Sequence, residues 1–352
     1  MSGGLAELVA IGAQDAHIVG NPEVSFFQSS YKRHSNFSSV IEREVIQGVP
    51  KNNGFSTIRF ERKGDLLSYV YLVAKDANSN VLAPSWSSII NKIELYIGGQ
   101  KIDSQDYNFS AYISTEIMAN TLSKSIFGPG PSDKDNTKFF YPIKFWFSEN
   151  WQSALPLIAL QYHDVEMRIY WGTNITTAST ASIEAWSRYV FLDEPERRMM
   201  SERPMDMLVH QVQSIPTPND KTVELSFNHP VKFIASIASA FAADQKVLLQ
   251  LNGTDVGEKK QAYPHYTAVS AYHHQTQSGT DAATSTSGYY TVSLMIPFCL
   301  DASKLQPTGT CNFSRMDSAR LINDSSINGS IYAVNYNILR VQNGMGGLLY
   351  AN

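Results

Sequence analysis

Period-two alternation of apolar and polar residues runs through most of this chain. Val165, Met167 and Ile169 alternate with charged neighbours, and segments 93–97 and 223–227 follow the same rule. Successive side chains of a β-strand point to opposite faces, so each segment is predicted to be a strand with one buried face. Such strands need a second sheet to cover that face. The pattern therefore predicts an all-β protein built from sandwiches.

A weak internal repeat indicates that the two halves of the chain are alike. Residues 92–99 and residues 246–253 both read as a lysine, a strand and a two-residue hairpin signal. The hairpin signals are Gly98-Gly99 and Asn252-Gly253, which are typical of tight turns between antiparallel strands. The two segments lie nearly half the chain apart. This spacing favours a duplicated β-sandwich.

Helical signals are few. Apolar spacing predicts one short helix within residues 110–122, and the charged segment 194–202 reads as a short polar helix or connector. The charge density of that connector differs from its surroundings and places a domain boundary near 192–205. Alternation in residues 143–147 predicts a further strand.

Charge content constrains the possible partners. Only 17% of the 352 residues are charged, against about 25% in a typical soluble protein, and the net charge is −4. A protein that binds nucleic acid by neutralising phosphates needs a basic excess, so we expect no direct nucleic-acid binding. The low charge also indicates that an oligomer buries part of the surface. No secretory signal or membrane span is recognisable, which predicts synthesis in the cytoplasm.

No catalytic, cofactor or metal motif is found, and we predict none of these sites. A jelly-roll glycosidase remains as a hypothesis on Asp164 and Glu166, which would share one strand face, although solvated strand charges are commoner. A metal site at His273-His274 is disfavoured because adjacent strand residues point to opposite faces. Cys299 and Cys311 are read as unpaired thiols.

The N-terminal segment is rich in aromatic residues but has no strand periodicity. An extended segment of this kind packs either on its own sandwich or on a neighbouring subunit, and the residues alone leave both readings open. The residues that we select as candidates for an assembly interface are Pro22, Phe26, Phe27, Tyr31 and Arg33.

Several short segments resemble the major capsid proteins of nucleocytoplasmic large DNA viruses, and the algal-virus type is the most similar. In chain order they are Gly12–Asp15, Gly20–Pro22, Phe26-Phe27, Tyr31–His34, Asn36-Phe37, Ile97–Asp103, Leu155–His163, Leu192–Arg198, Phe227–Pro230, Pro307–Arg315, Tyr332–Asn337 and Gly344–Gly347. The resemblance covers nearly the whole chain in the expected order.

The resemblance implies a double jelly roll: two eight-stranded antiparallel β-sandwiches in tandem, with few short helices. On this basis we expect four parts of the chain. They are an N-terminal arm (1–30), a first jelly roll (31–191), a connector (192–205) and a second jelly roll (206–352).

The function implied by the resemblance is structural. Three chains would form a trimer, whose six jelly rolls make a pseudo-hexagonal capsomer, and capsomers would tile an icosahedral shell in the virion. The implied partners are neighbouring capsomers and minor capsid proteins, with the internal viral membrane as a further candidate. The alternatives are a minor capsid subunit of the same fold, which the short chain allows, and a jelly-roll carbohydrate-binding protein.

Overall fold

The computed structural model describes the chain from residue 3 to residue 350 except for six gaps. The gaps are 122, 125–138, 176–181, 218, 238–243 and 276–292. The chain divides into two compact units, Met1–Asn36 and Phe37–Asn352. The smaller unit contains two short helices, Gly3–Val9 and Ala16–Val19, and no side chain of residues 3–36 is buried.

The larger unit is dominated by antiparallel strands, as the alternating pattern predicts. In its first half the described strands are β1 (Phe37–Glu44), β2 (Ile46–Gln47), β3 (Phe55–Phe60), β4 (Leu66–Lys75), β5 (Val81–Leu82), β6 (Ile90–Ile97), β7 (Gln100–Asp106), β8 (Tyr141–Ile143), β9 (Leu155–Pro156), β10 (Val165–Trp171) and β11 (Ser182–Leu192).

The second half repeats this arrangement. Its described strands are β12 (Met205–Pro216), β13 (Thr222–Glu224), β14 (Pro230–Ile237), β15 (Lys246–Leu251), β16 (Thr254–Asp255), β17 (Lys260–Gln261), β18 (Ser293–Pro297), β19 (Cys311–Asn312), β20 (Ala319–Asn323), β21 (Ser330–Gln342) and β22 (Met345–Leu348).

Each half is a sandwich of one six-stranded and one five-stranded sheet. The six-stranded sheets have the orders β1-β11-β4-β5 and β12-β21-β14-β18, with β8 and β9 on β4, β19 on β14, and β22 on β21. The five-stranded sheets have the orders β2-β3-β10-β6-β7 and β13-β20-β15-β16, with β17 on β15. In both halves the first strand pairs with the last long strand, which is the winding of a jelly roll. The prediction of two jelly-roll sandwiches is confirmed.

The internal repeat marks equivalent places in the two sandwiches. Residues 92–99 form β6 and its turn, and residues 246–253 form β15 and its turn. In its five-stranded sheet β6 lies between β10 and its hairpin partner β7, and β15 lies in the same way between β20 and its hairpin partner β16. Gly98-Gly99 and Asn252-Gly253 both adopt the positive φ values that such turns require. The two hairpin predictions are confirmed.

Helices occupy connections between strands. Those described in the larger unit are Trp86–Ile89, the π-helix Phe109–Met118, Trp146–Glu149, the 3₁₀ turn Trp151–Ser153, Glu194–Glu202, Ala262–His265, Ala268–His274 and the 3₁₀ turn Phe313–Arg315. The prediction of a polar helix at 194–202 is confirmed. Asp193 caps that helix because its side chain accepts a hydrogen bond from the Glu194 N–H.

Two of the local predictions concern the segments at 110–122 and 143–147. The helix predicted within 110–122 is present as Phe109–Met118, and residue 122 lies outside the described part of the chain. The strand predicted at 143–147 is wrong, because β8 ends at Ile143 and a helix begins at Trp146. Phe145, Trp146 and Phe147 are all buried, so the apolar spacing there reflects burial on every side and not one face of a strand.

Three apolar clusters hold the larger unit together. The first fills the first sandwich and includes Ile58, Leu95 and Met167. The second fills the second sandwich. The third lies between the sandwiches, where the π-helix packs on the second six-stranded sheet. Leu339 and Val341 of β21 also belong to the first cluster, so the two sandwiches share apolar core.

Candidate assembly surfaces

The π-helix of the first sandwich covers the outer face of the second six-stranded sheet. Phe109, Ile113 and Ile117 pack against residues that alternate with core residues along β14 and β21. Among these, Phe233 and Val334 are completely buried. We call this contact between the sandwiches the joint. It shows how a helix from one sandwich buries the outer sheet of another.

Hydrogen bonds also cross the joint and fix the orientation of the two sandwiches. The Asp103 carboxylate accepts a hydrogen bond of 2.9 Å from the Val212 N–H. Tyr332 donates its hydroxyl hydrogen to Asp106 over 2.7 Å, and the Gln211 amide donates to the Ile102 carbonyl. Each bond joins β7 of the first sandwich to β12 or β21 of the second. Directional bonds of this kind fix the relative position of two packed surfaces more closely than apolar contact does.

Buried and half-buried ionisable side chains lie beside the joint. The imidazole Nδ1 of His210 lies 3.6 Å from the Glu149 carboxylate, and the Lys232 ammonium lies 5.7 Å from the centre of the Tyr336 ring. Burial lowers the pKa of His210 and of Lys232, and it lowers the pKa of Lys144 to about 7. The nearby Glu149 carboxylate opposes all three shifts.

Asp103 has the opposite response to the same environment. Burial raises its pKa to about 6, although the hydrogen bonds from Val212, Gln105 and Ser104 favour the ionised form. Desolvation penalises a charged group of either sign, so it moves acids and bases in opposite directions. The joint therefore contains groups that change charge near neutrality.

The glycine-rich C-terminal segment closes the first sandwich. Asn343-Gly344 forms the turn between β21 and β22. The Gly344 carbonyl accepts a bond of 2.9 Å from the Tyr162 N–H, and His163 Nδ1 lies 2.8 Å from the Gly346 carbonyl oxygen. We call this contact the clasp. A Cβ atom on Gly346 would lie 2.5 Å from the Leu160 side chain, so any larger residue there would require Leu160 to move.

The described residues cover the outer face of the first six-stranded sheet less completely than that of its counterpart. Tyr69 and Tyr71 on β4 and Trp186 on β11 point to that face and are half-buried, and Ile41 on β1 is 44% exposed. We call these four residues the open face. A cavity of about 620 Å³ adjoins it and is lined in part by Ile41, Tyr69 and Tyr71. An apolar surface of this kind is typical of an interaction site.

The second sandwich carries a helix at the position equivalent to the π-helix. Ala268–His274 lies between β17 and β18, as the π-helix lies between β7 and β8. Ser270 anchors it by donating to the Met295 carbonyl over 3.0 Å. Val269 is partly exposed and Tyr272 is 83% exposed. The helix is thus held on its own sandwich with an aromatic side chain directed to solvent.

The five residues selected from the sequence all lie in the smaller unit and are exposed. Phe26 is 93% exposed, Phe27 and Tyr31 are similarly accessible, and Pro22 and Arg33 are also at the surface. Other apolar residues of this unit share the property. They are Leu5, Leu8, Val9, Ile11, Ile18, Val19 and Val24. Such a concentration of accessible apolar side chains favours a role in contacts with other molecules.

Residues that could suggest catalysis are engaged in structural contacts. Asp164 forms an ion pair with Arg59, and Glu166 lies 3.8 Å from the Arg168 guanidinium. His274 contacts the Cys299 carbonyl at 2.8 Å. Over the described residues, no group of three or more potential metal ligands is found. In the same part of the chain, no helix has the length and hydrophobicity needed to cross a bilayer.

Sequence reasoning missed the joint, the clasp and the open face. Asp103 and Val212 are far apart in the chain, and no local pattern links them. The open face could have been predicted from the sequence, since Tyr69 and Tyr71 alternate with apolar residues along β4. Alternating aromatic residues on the solvent side of a strand are the signal that would have identified it.

Comparison with known families agrees with this architecture. Residues 25–193 match a family described as "Major capsid protein N-terminus", and residues 236–347 match one described as "Large eukaryotic DNA virus major capsid protein". The major capsid protein of Pyramimonas orientalis virus is 33% identical to the chain, and that of Paramecium bursaria Chlorella virus 1 is 28% identical. Both alignments cover the whole of each chain.

Solved structures show the same fold. A capsid chain of the PBCV-1 virus aligns with a TM-score of 0.75 at 22% identity, over 93% of this chain and 100% of the other. The Faustovirus major capsid protein aligns with a TM-score of 0.64 at 10% identity, over 94% of each chain. These relationships support the double jelly roll seen in the sheet order.

Proposed function

The chain belongs to the family of major capsid proteins of large eukaryotic DNA viruses, and on this premise we propose that it is a homotrimeric building block of an icosahedral capsid. It has a structural role in the virion. The observation that carries the trimer is the contrast between two outer sheet faces. One is covered by a helix of the same chain, whereas the residues that the structure describes cover its counterpart, the open face, only in part.

The missing cover is supplied by a second copy of the chain. Ala268–His274 is the counterpart of the π-helix, and its Tyr272 is accessible. We assign this helix to the open face of the next chain. Each chain then presents one helix and receives another, which is a head-to-tail contact. Contacts of this type form a ring when the rotation closes.

Six sandwiches in three chains form the pseudo-hexagonal capsomer. The family resemblance implies that the ring closes after three chains. Capsomers then tile the shell beside neighbouring capsomers and minor capsid proteins, and the internal viral membrane is a further candidate partner. Synthesis is assigned to the host cytoplasm. The proposal includes no enzymatic activity and no direct binding of nucleic acid.

The N-terminal unit has a separate task in this proposal. Pro22, Phe26, Phe27, Tyr31 and Arg33 are assigned to contacts with neighbouring capsomers or minor capsid proteins. The exposed aromatic side chains support this assignment, because Tyr, Phe and Arg are enriched in the centres of interfaces.

The division of the chain follows from the same proposal. We retain an arm at 1–30, a first jelly roll at 31–191, a connector at 192–205 and a second jelly roll at 206–352. A minor capsid subunit of the same fold is the alternative role. Family membership favours either capsid role over a carbohydrate-binding one.

Sedimentation of purified protein tests the trimer and its interface. The unchanged chain is expected to sediment as a trimer at micromolar concentration. Tyr71→Ser and Tyr272→Ser should each weaken association roughly tenfold or more, as loss of a buried aromatic anchor does. Tyr350→Ser, which removes an exposed tyrosine outside the proposed contact, should match the unchanged chain.

The outcomes separate two claims. A monomer for the unchanged chain, with no trimer in capsid extracts, contradicts the trimer itself. A stable trimer in all three variants contradicts only the assignment of the open face.

A further inference from the structure

The joint encloses a histidine whose burial favours its neutral form. His210 is 4% exposed, and neither ring nitrogen has a hydrogen-bond partner among the described residues. Its ring lies 4.9 Å from that of Tyr336. A protonated imidazole needs acceptors at both nitrogens, and Nδ1 alone faces a carboxylate, that of Glu149 at 3.6 Å.

The charges around His210 come from both sandwiches. Glu149 approaches from the helix Trp146–Glu149, Lys232 from β14 and Tyr336 from β21. Further groups act on Glu149 or Lys232. They are Lys124, Lys144, Asp103, Asp301 and Cys299. Because Lys232 already places a positive charge beside His210, a second cation there is stabilised only by Glu149.

We propose that the joint is acid-sensitive and that His210 is its sensor. Protonation of the enclosed imidazole adds a cation between the two sandwiches, and the joint opens to hydrate it. The proposal concerns contacts within one chain, so it stands whether or not three chains associate. Its consequence is that mild acid loosens the subunit between its sandwiches before either sandwich unfolds.

The direction follows from linkage. Burial lowers the pKa of His210, so below its ordinary value of 6.5 the opened form binds a proton before the closed form does. The joint therefore weakens as the pH falls below that value. Asp103, whose pKa is raised to about 6, acts in the opposite direction because its closed form takes up the proton first. Only a comparison with a His210 variant isolates the effect of the histidine.

Labelling of Cys299 reports on the joint directly. This thiol is 3% exposed and belongs to the apolar cluster between the sandwiches. The full chain carrying Cys311→Ser would be reacted with 4,4′-dithiodipyridine over a series of pH values, with and without His210→Gln. The ratio of the two rates at one pH cancels the titration of the thiol itself.

The expected result is a pH-dependent ratio. Between about pH 7 and pH 5 the rate with His210, divided by the rate with His210→Gln, should rise about three- to tenfold, since one unit of pKa difference corresponds to tenfold in an equilibrium. His273→Gln removes an exposed histidine and should behave as the parent does. A ratio that stays within about twofold across this range would overturn the proposal.

Folding is checked separately. If His210→Gln does not give folded protein, His210→Phe keeps the ring volume without the titration and replaces it. A constant ratio with that variant overturns the proposal in the same way.

Discussion

The carboxylate of Asp103 accepts a hydrogen bond from the backbone N–H of Val212, and this bond is one of those that connect the two sandwiches across their joint. The oxygen and nitrogen are 2.9 Å apart. The bond forms although burial raises the pKa of Asp103 to about 6. Charge at this position is therefore unfavourable, whereas an acceptor at this position is needed.

Substitution of Asp103 should separate charge from hydrogen bonding. Asp103→Asn keeps an acceptor and removes the charge, so its stability at neutral pH should equal or exceed that of the unchanged chain. Asp103→Ala leaves the buried Val212 N–H without its acceptor and should cost about 1–3 kcal/mol. Urea unfolding at neutral pH measures both. Equal losses of unfolding free energy in the two variants would show that the hydrogen-bond acceptor at this position does not stabilise the joint.

The pH dependence of Asp103 gives a second test of the same site. Its pKa is 3.8 in the ordinary state and about 6 when folded, so the folded chain holds the proton more tightly between these values. Stability should therefore fall as the pH rises from 3.8 to about 6. Asp103→Asn should remove this part of the profile.

Lys144 should make the protein more stable in mild alkali. Burial lowers its pKa from 10.5 to about 7, so between these values the unfolded chain binds more protons than the folded chain. Stability should rise with pH in that window, by at most about 1.4 kcal/mol per unit. Lys144→Met should flatten the rise, and Lys101→Met, at an exposed lysine, should leave it unchanged. If stability changed with pH in the same way in the unchanged chain and in both variants, the rise would not come from Lys144.

Gly346 should be harder to replace than its neighbour Gly347. Gly346→Ala places a methyl group 2.5 Å from Leu160 and should cost about 1–3 kcal/mol, as overpacking does. At Gly347 the nearest atom to an added Cβ is the Gln100 side-chain oxygen at 3.2 Å, so Gly347→Ala should cost less. Thermal unfolding compares the two. If Gly347→Ala lowered the unfolding temperature more than Gly346→Ala, the close approach to Leu160 would not be what restricts substitution in the clasp.

Removal of the N-terminal segment should impair assembly and spare folding. No side chain of residues 3–36 is buried in the single chain, so deletion of residues 1–30 should leave the unfolding temperature nearly unchanged. Shells should form poorly, because the accessible aromatic side chains are lost. Phe26→Ser combined with Phe27→Ser should reproduce the defect, whereas Leu8→Ser should have a smaller effect. Electron microscopy of reassembled particles is the readout, and normal shells from the truncated chain would exclude this role.

Much of the architecture was predictable because its signals are local. The lysine, strand and hairpin turn at 92–99 recur at 246–253, and the structure places both in equivalent sheet positions. The spacing of Phe145 and Phe147 led to the wrong prediction of a strand. Apolar spacing alone does not distinguish a strand with one buried face from a segment that is buried on every side.

The assembly surfaces depended on partners that are distant in the chain. Gly346 reads as part of a terminal turn until Leu160 is placed beside it, and Glu149 has no evident counterpart until His210 approaches. Side chains joined only by tertiary packing leave no spacing pattern in a single sequence. The arm was recognised from its aromatic residues, whereas the open face depends on knowing which side of β4 lacks a complete cover.

The clasp sets an order of events during synthesis. β22 and its turn follow every other described strand in chain order, yet they contact Leu160, Tyr162 and His163 of the first sandwich. A nascent chain therefore holds its first half without this contact until β22 has been synthesised. Chains that stop before β22 lack the clasp, so they present an incomplete first half to their neighbours.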